Sequence, residues 1–439
     1  MDSIQHGFIV VDSPRGNDAT AQRDSWTQSF ATVSKAFQLV RDYDTVLIYP
    51  GPYMETPLEP VDITDLPGGG APLWLLNHRC VTIRGIGLPE IWLTAHGCGL
   101  SIESCTNILV EGIQFRGMGL LTEPKPYSFA LLLCTGINEA LTVRDCFFTE
   151  SGDHGIAHLI GPRTTNNSVF ENNRFYMGGH MNHPTLQLDG TAIAVGGSGN
   201  RFYGNRIERW LRGIEFESGD FPGLDTPTSR NIVSHNKLLQ CWWQHLIVVP
   251  MHRQAALFDQ LLIEGNIFQG WGVQPPQTFS PLTFAHEGIY FGGGINAQIR
   301  GNDISDMWNG IGLRMTADWC DVQDVLVSDN RIWNVDRTGI HATAIPGVGN
   351  VNRCRFNSNK IGPCGGRGIW INGDYNVAEG NGIHLCDGTQ LWEGLYVEAG
   401  NRNILRQNRL IDCLPLADNG TETLSVDNDP FWDTKRPPR

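Results

Sequence analysis

The chain of 439 residues has no long hydrophobic run, no CxxC pair and little charge of either sign. No apolar stretch approaches the roughly 20 residues that a membrane-spanning helix needs, so no membrane partner is expected. The opening MDSIQHGFIVVD has no basic n-region, and its apolar segment is too short for a signal peptide. Neither CxxC nor paired-histidine spacing supports zinc, and the eleven cysteines are an odd number. Buried, reduced thiols acting as small hydrophobes are therefore expected, in a chain made and folded in a reducing cytoplasm. Charged residues are only 18% of the chain, and the net charge of −14 argues against a nucleic-acid partner.

What is present is a repeat. Nine asparagines (Asn173, Asn205, Asn236, Asn266, Asn302, Asn330, Asn359, Asn381 and Asn408) follow one another at spacings of 22 to 36 residues. Each has an apolar residue two places later, from Phe175 and Ile207 to Ile383 and Leu410. The residue five places later is mostly apolar too, as at Trp210, Cys241, Met307, Val335, Cys364 and Cys413. A fixed period of this kind means a solenoid, and it favours one elongated domain over two or three separate ones. The 51 glycines fit short strands and tight turns rather than helices.

Each coil carries two recognisable strands. One contains the asparagine, as in Leu326-Val327-Ser328-Asp329-Asn330-Arg331-Ile332. The other follows a small residue, as in Gly155-Ile156, Ala192-Ile193, Gly213-Ile214, Gly288-Ile289, Gly310-Ile311, Gly339-Ile340, Gly368-Ile369 and Gly394-Leu395. Earlier coils at 107–115 and 140–148 put Ile113 and Cys146 in the asparagine column. Stacked coils lie about 4.8 Å apart, so inward asparagines can bond their equivalents above and below. Before the coils, Trp26, Phe30, Val33, Phe37 and Val40 fall at helical spacing, with Asp24 or Ser25 as N-cap. The expected organisation is a strand and helix cap over 1–55, coils over 56–413 and a polar, proline-rich tail over 414–439.

These coils resemble the right-handed parallel β-helix of the pectate-lyase-like superfamily, an all-β solenoid, here of ten to twelve coils. The opening Gly16-Asn17-Asp18, Trp26, Phe30-Ala31-Thr32, Ala36-Phe37, Asp44-Thr45-Val46 and Pro50-Gly51-Pro52-Tyr53 is similar to the first segment of many such proteins. The resemblance implies lyases, hydrolases, epimerases, fructan transferases, viral tailspikes or non-enzymatic virion parts, and a homotrimer. The Asp-Pro-His-Asp of mannuronan epimerases is absent, with Asp153-His154-Gly155 a partial echo. The polygalacturonase series is absent as well.

Strand alternation gives the second strand an outward column: Ala157, Ala194, Glu215, Ile247, Tyr290, Gly312, His341, Trp370 and Tyr396. Glu217, Arg314 and Glu398 lie two places on, while His154, Arg212, Glu287, Arg367 and Glu393 come just before the small residue. Asp153, Trp243, His286, Trp308 and Trp392 adjoin those. Aromatic rings beside charged groups suit the faces and hydroxyls of sugars, although a solvated sheet with aromatics stacked between coils fits the same pattern. Long inserts at 176–190, 218–229 and 269–286 surround coils three to seven and draw the site there.

Within that window the candidate catalytic residues are Glu215, Glu217, Asp189, Asp153, His154 and Glu287. The candidate substrate-binding residues are Arg212, Trp243, His286, Tyr290, Trp308, Arg314, His341 and Trp370. Glu215 and Glu217 alternate on one strand, which sets their carboxyls about 6–7 Å apart. That is near the range in which one acid protonates a leaving oxygen while the other activates water. The expected function is binding with cleavage or transglycosylation of a polysaccharide, as in a tailspike depolymerase. The alternatives are a non-catalytic virion or scaffold protein that binds glycan, and a lyase or epimerase using His154, Arg212 and Arg314. No cofactor is expected, and the clustered acids leave calcium open.

Overall fold

The computed structural model describes residues 6–57, 70–94, 97–117, 130–158, 164–179, 190–218, 228–250, 258–271, 287–314, 321–343, 350–384, 392–414 and 416–431. The chain divides into two compact units, Met1–Ile214 and Glu215–Arg439. In both, each coil gives one short strand to each of three parallel sheets, as a right-handed parallel β-helix requires.

In unit 1 the inward columns of three successive coils are Val143, Phe170 and Phe202 in the first sheet, and Phe148, Phe175 and Ile207 in the second. Leu132, Ile156 and Ile193 form the third. Register puts like residues directly above one another, so rings stack: Phe148 lies 4.8 Å from Phe175, and Phe170 lies 5.1 Å from Phe202. In unit 2 the second-sheet column is Phe268, Ile304, Ile332, Ile361, Ile383 and Leu410. The third-sheet column is Leu246, Ile289, Ile311, Ile340, Ile369 and Leu395. All of these are buried.

The corner between the first and second sheets is built by the asparagines. In unit 1 the Cys146 N–H donates to Asn173 Oδ1 (3.0 Å), and the Asn173 N–H and Nδ2 donate to Asn205 Oδ1 (3.0 and 3.1 Å). In unit 2 the same pair of bonds runs from Asn236 through Asn266, Asn302, Asn330, Asn359, Asn381 and Asn408 to Asn428. Most of these amides also give a proton to a carbonyl of the coil before, as Asn302 does to Ile263. The residue preceding each ladder asparagine is left-handed. Asn172, Gly204, His235, Gly265, Gly301, Asp329, Ser358, Gly380 and Gln407 all have φ between +55° and +65°. Glycine and asparagine tolerate that corner best, and the others are held there by the paired strands on either side.

A second buried ladder stands at the entrance to the first sheet. Ser168 donates to Asn200, Cys354 to Asn376 and Asn376 to Asn403. It is harder to see in the sequence because serine and cysteine take the place in some coils.

Sterics explain the small residue before the inward isoleucine. A Cβ on Gly310 would stand 2.5 Å from Ile332 Cγ2, and one on Gly339 would stand 2.4 Å from Ile361 Cγ2. The apolar residue two places after each asparagine fills the space that the glycine leaves. The two sequence signatures are therefore halves of one contact.

The cysteines follow the expected pattern where they are described. None of the nine is disulfide-bonded, and all but Cys80 are buried. Burial pushes the thiols of Cys98, Cys134, Cys146 and Cys354 up to about 12, so they remain protonated hydrophobes. No described helix is long and apolar enough to cross a membrane.

Two boundaries differ from expectation. The helix is short, Val33–Phe37, capped by Thr32 rather than Asp24 or Ser25. The Asp18 carboxylate accepts the N–H groups of Ala31 and Thr32 (2.8 and 3.1 Å), which holds the chain extended up to that cap. Trp26 is left exposed and stacks on Phe8 at 4.5 Å. The coils also do not stop at residue 413, because Leu424–Val426 pairs with Ile404–Arg406 and Asp429–Phe431 with Arg409–Ile411. Polar Ser425 stands opposite Leu405 there, which hides the last coil from a hydrophobic pattern. Over 56–413, the stretch expected to hold the coils, the first sheet has twelve described strands, within the ten to twelve coils expected.

Candidate functional site

The outward column of the third sheet in unit 2 is in register from coil to coil. Ile247 pairs with Tyr290, Tyr290 with Gly312, Gly312 with His341, His341 with Trp370 and Trp370 with Tyr396. Outward direction does not mean exposure along all of it. Ile247 and Tyr290 are 8% and 4% exposed, whereas His341, Trp370 and Tyr396 are half-buried and open to water.

That second stretch is a platform. His341 stacks on Trp370 with centroids 4.4 Å apart, and Trp370 meets Tyr396 edge to face at 6.0 Å. Arg367, from the turn before Ile369–Asn372, lays its guanidinium 3.7 Å from the Tyr396 ring and 4.5 Å from the Trp370 ring. Its Nε reaches Glu393 Oε2 at 3.3 Å. Glu398 Oε2 accepts from Trp370 Nε1 (3.2 Å) and from Asn372 Nδ2 (3.1 Å). His341 Nε2 lies 3.1 Å from Thr343 Oγ1. Rings, a cation and two carboxylates thus share one partly exposed surface.

The turn that leads into this sheet carries further aromatic pairs. Trp242 lies 4.6 Å from Trp271, and the Arg337 guanidinium lies 4.6 Å from the Trp308 ring. Arg367 repeats that arrangement with Trp392 at 5.4 Å. Trp243 is half-buried in the same turn as Trp242.

Glu287 occupies a different environment. It is wholly buried, and a Cβ on Gly312 would stand 2.8 Å from its Oε2. The carboxylate therefore lies over the one position of the column that has no side chain. Asn309 Nδ2 donates to Glu287 Oε1 at 3.3 Å, while Asn309 Oδ1 accepts the Thr338 N–H at 3.2 Å. Placing Glu287 and Tyr290 on a solvated face is thus corrected: long side chains lean along the strand into the space above glycines. Tyr290 does so over Gly292, where a Cβ would stand 3.0 Å from its ring.

In unit 1, Asp153 and His154 are brought together and buried, with His154 Nε2 3.6 Å from Asp153 Oδ1. His154 Nδ1 accepts the Thr191 N–H at 3.1 Å. In the neutral ring the proton is therefore on Nε2, facing the carboxylate. Trp210 Nε1 donates to the Asp153 carbonyl at 3.3 Å, and Ser151 Oγ to the His154 carbonyl at 2.7 Å. Arg212 is half-buried in this unit.

Glu215, in unit 2, is 3% exposed. Asp189 and His286 lie outside the described residues, as do the side chains of Glu217 and Arg314. Of the sequence candidates, the structure assembles His341 with Trp370, and Asp153 with His154. The residues that complete the platform (Arg367, Trp392, Glu393, Tyr396 and Glu398) stand in the same sequence columns but in coils beyond those that the long inserts surround.

The tailspike protein of E. coli bacteriophage HK620, a double mutant in complex with a pentasaccharide, superposes with a TM-score of 0.56 at 12% identity. The match covers 87% of this chain and 71% of that one. The fold is the right-handed parallel β-helix.

A PL6 alginate lyase in complex with a trisaccharide gives a TM-score of 0.48 at 13% identity over 100% of this chain and 90% of its own. The Dettilon tailspike protein gives 0.39 at 11% identity, and the match spans 57% of that protein's length and 87% of this chain. No curated protein matches the sequence. The profile of the family described as periplasmic copper-binding protein (NosD) matches residues 263–436. Cys354, Cys364 and Cys413 are core side chains, and no three His, Cys, Asp or Glu residues converge on a metal among the described residues.

Proposed function

We propose that the chain is a glycan-binding β-helix protein that holds an oligosaccharide or polysaccharide along the outward face of the third sheet of unit 2. The observation that carries this is the registered column His341, Trp370 and Tyr396, half-open to water and edged by Arg367, Glu393 and Glu398. Aromatic rings offer apolar area to sugar C–H faces at small entropic cost, and carboxylates accept from hydroxyls. A pentasaccharide bound to a tailspike of the same fold supports a sugar as the ligand.

Cleavage is a second reading, favoured by Glu287, a wholly buried carboxylate that lies over Gly312 of the same column and is held by Asn309. Glu215, Glu217, Asp189, Asp153 and His154 remain its other candidates, as do a tailspike-like role and a homotrimeric assembly. A glycan array followed by product analysis tests both readings. Retention of a glycan that Trp370→Ala abolishes supports the binding site. Release of reducing ends that Glu287→Gln or Glu215→Gln stops adds hydrolysis, and an unsaturated product indicates a lyase. Retention that Trp370→Ala and Tyr396→Ala leave unchanged removes the site from this face.

A further inference from the structure

We propose that this face takes neutral or N-acetylated glycans and turns polyuronates away, an inference that rests on the glycan-binding reading of the same surface. The register of Ile369–Asn372 against Leu395–Ala399 shifts between Ile371 and Asn372, so Asn372 stands opposite Ala399 and Glu398 is the extra residue. Such a bulge re-aims a side chain locally. Here it presents Glu398 to two donors at once, Trp370 Nε1 at 3.2 Å and Asn372 Nδ2 at 3.1 Å, on a single oxygen.

Two donors of the platform are thereby directed at a protein carboxylate. Arg367, the cation of the platform among the described residues, is engaged as well: it reaches Glu393 at 3.3 Å and lies against the Tyr396 ring. Acceptors remain on offer, because a carboxylate has about four lone-pair sites and Glu398 is exposed. A hydroxyl or an acetamido N–H meets those acceptors as a donor. A uronate brings a second carboxylate to them, next to a chain whose net charge is −14. Like charges in that position repel, and salt screens the repulsion.

The test compares length-matched neutral, N-acetylated and uronate oligosaccharides on an array and by fluorescence titration, at low and high salt, for wild type, Glu398→Gln and Trp370→Ala. The expected result is uronate binding about tenfold weaker than the best neutral or N-acetylated ligand. The gap should narrow in high salt and in Glu398→Gln, whose circular dichroism should match wild type. Uronates bound as tightly as any neutral glycan, through Trp370, would overturn the inference while leaving the glycan-binding reading intact. A gap unchanged by both salt and Glu398→Gln would also overturn it. No binding of any class, in wild type or variants, would remove the underlying reading itself.

Discussion

Two columns repeat once per coil in unit 2, and they use polar side chains in opposite ways. At the corner, asparagines 0–1% exposed from Asn266 to Asn408 each accept two bonds from the coil before, and every coil of that run uses the same residue. On the outward face, Tyr290, Gly312, His341, Trp370 and Tyr396 differ from coil to coil, and the later ones keep a surface open to water. The uniform column is the fold's own hydrogen-bond ledger. The varied column is free to serve a ligand, because the core does not need its residues.

The largest effect should come from breaking the uniform column. Asn302→Ala strands the buried Asn266 N–H and removes the donor to the Ile263 carbonyl. A loss of about 2–4 kcal/mol is expected by chemical denaturation. Gly339→Ala should follow at about 1–3 kcal/mol, because its Cβ would stand 2.4 Å from Ile361 Cγ2. Both variants test whether the glycine and asparagine signatures are purely structural. Where they remain folded, glycan affinity should be unchanged.

The smallest effect concerns Glu55, which caps the helix by accepting the N–H groups of Val33 and Ser34 at 3.0 and 3.2 Å. Burial pushes its carboxyl above the ordinary 4.5, against the pull of those donors. A raised folded value means that its stabilisation is full below about pH 4.5 and fades as pH rises through the raised value. Glu55→Gln should therefore gain on wild type as pH increases from acid to neutral, read as a thermal midpoint at each pH. A constant difference across that range would contradict the assignment.

Much of the fold was legible because its signals are periodic. Asn302 with Ile304, and Gly310 with Ile311, each recur where the coil geometry demands them. The second ladder was hidden by Ser168 and Cys354, which make the same corner with different side chains. The last coil was hidden because Ser425 replaces an apolar residue opposite Leu405. The site was legible only as a set of columns. Alternation told which way Tyr290 and Trp370 point, but not that Tyr290 is covered and Trp370 open. Nor could spacing reveal the bulge that turns Glu398 toward Trp370 and Asn372, since a register shift is a property of two paired strands.

The most direct measurement is the affinity of Trp370→Ala for the best glycan found on the array, taken beside its thermal midpoint. The platform account predicts binding weakened roughly tenfold, with the midpoint close to wild type, because a half-buried outward ring contributes little to the core. Unchanged affinity in a folded Trp370→Ala protein, repeated with Tyr396→Ala, would contradict it.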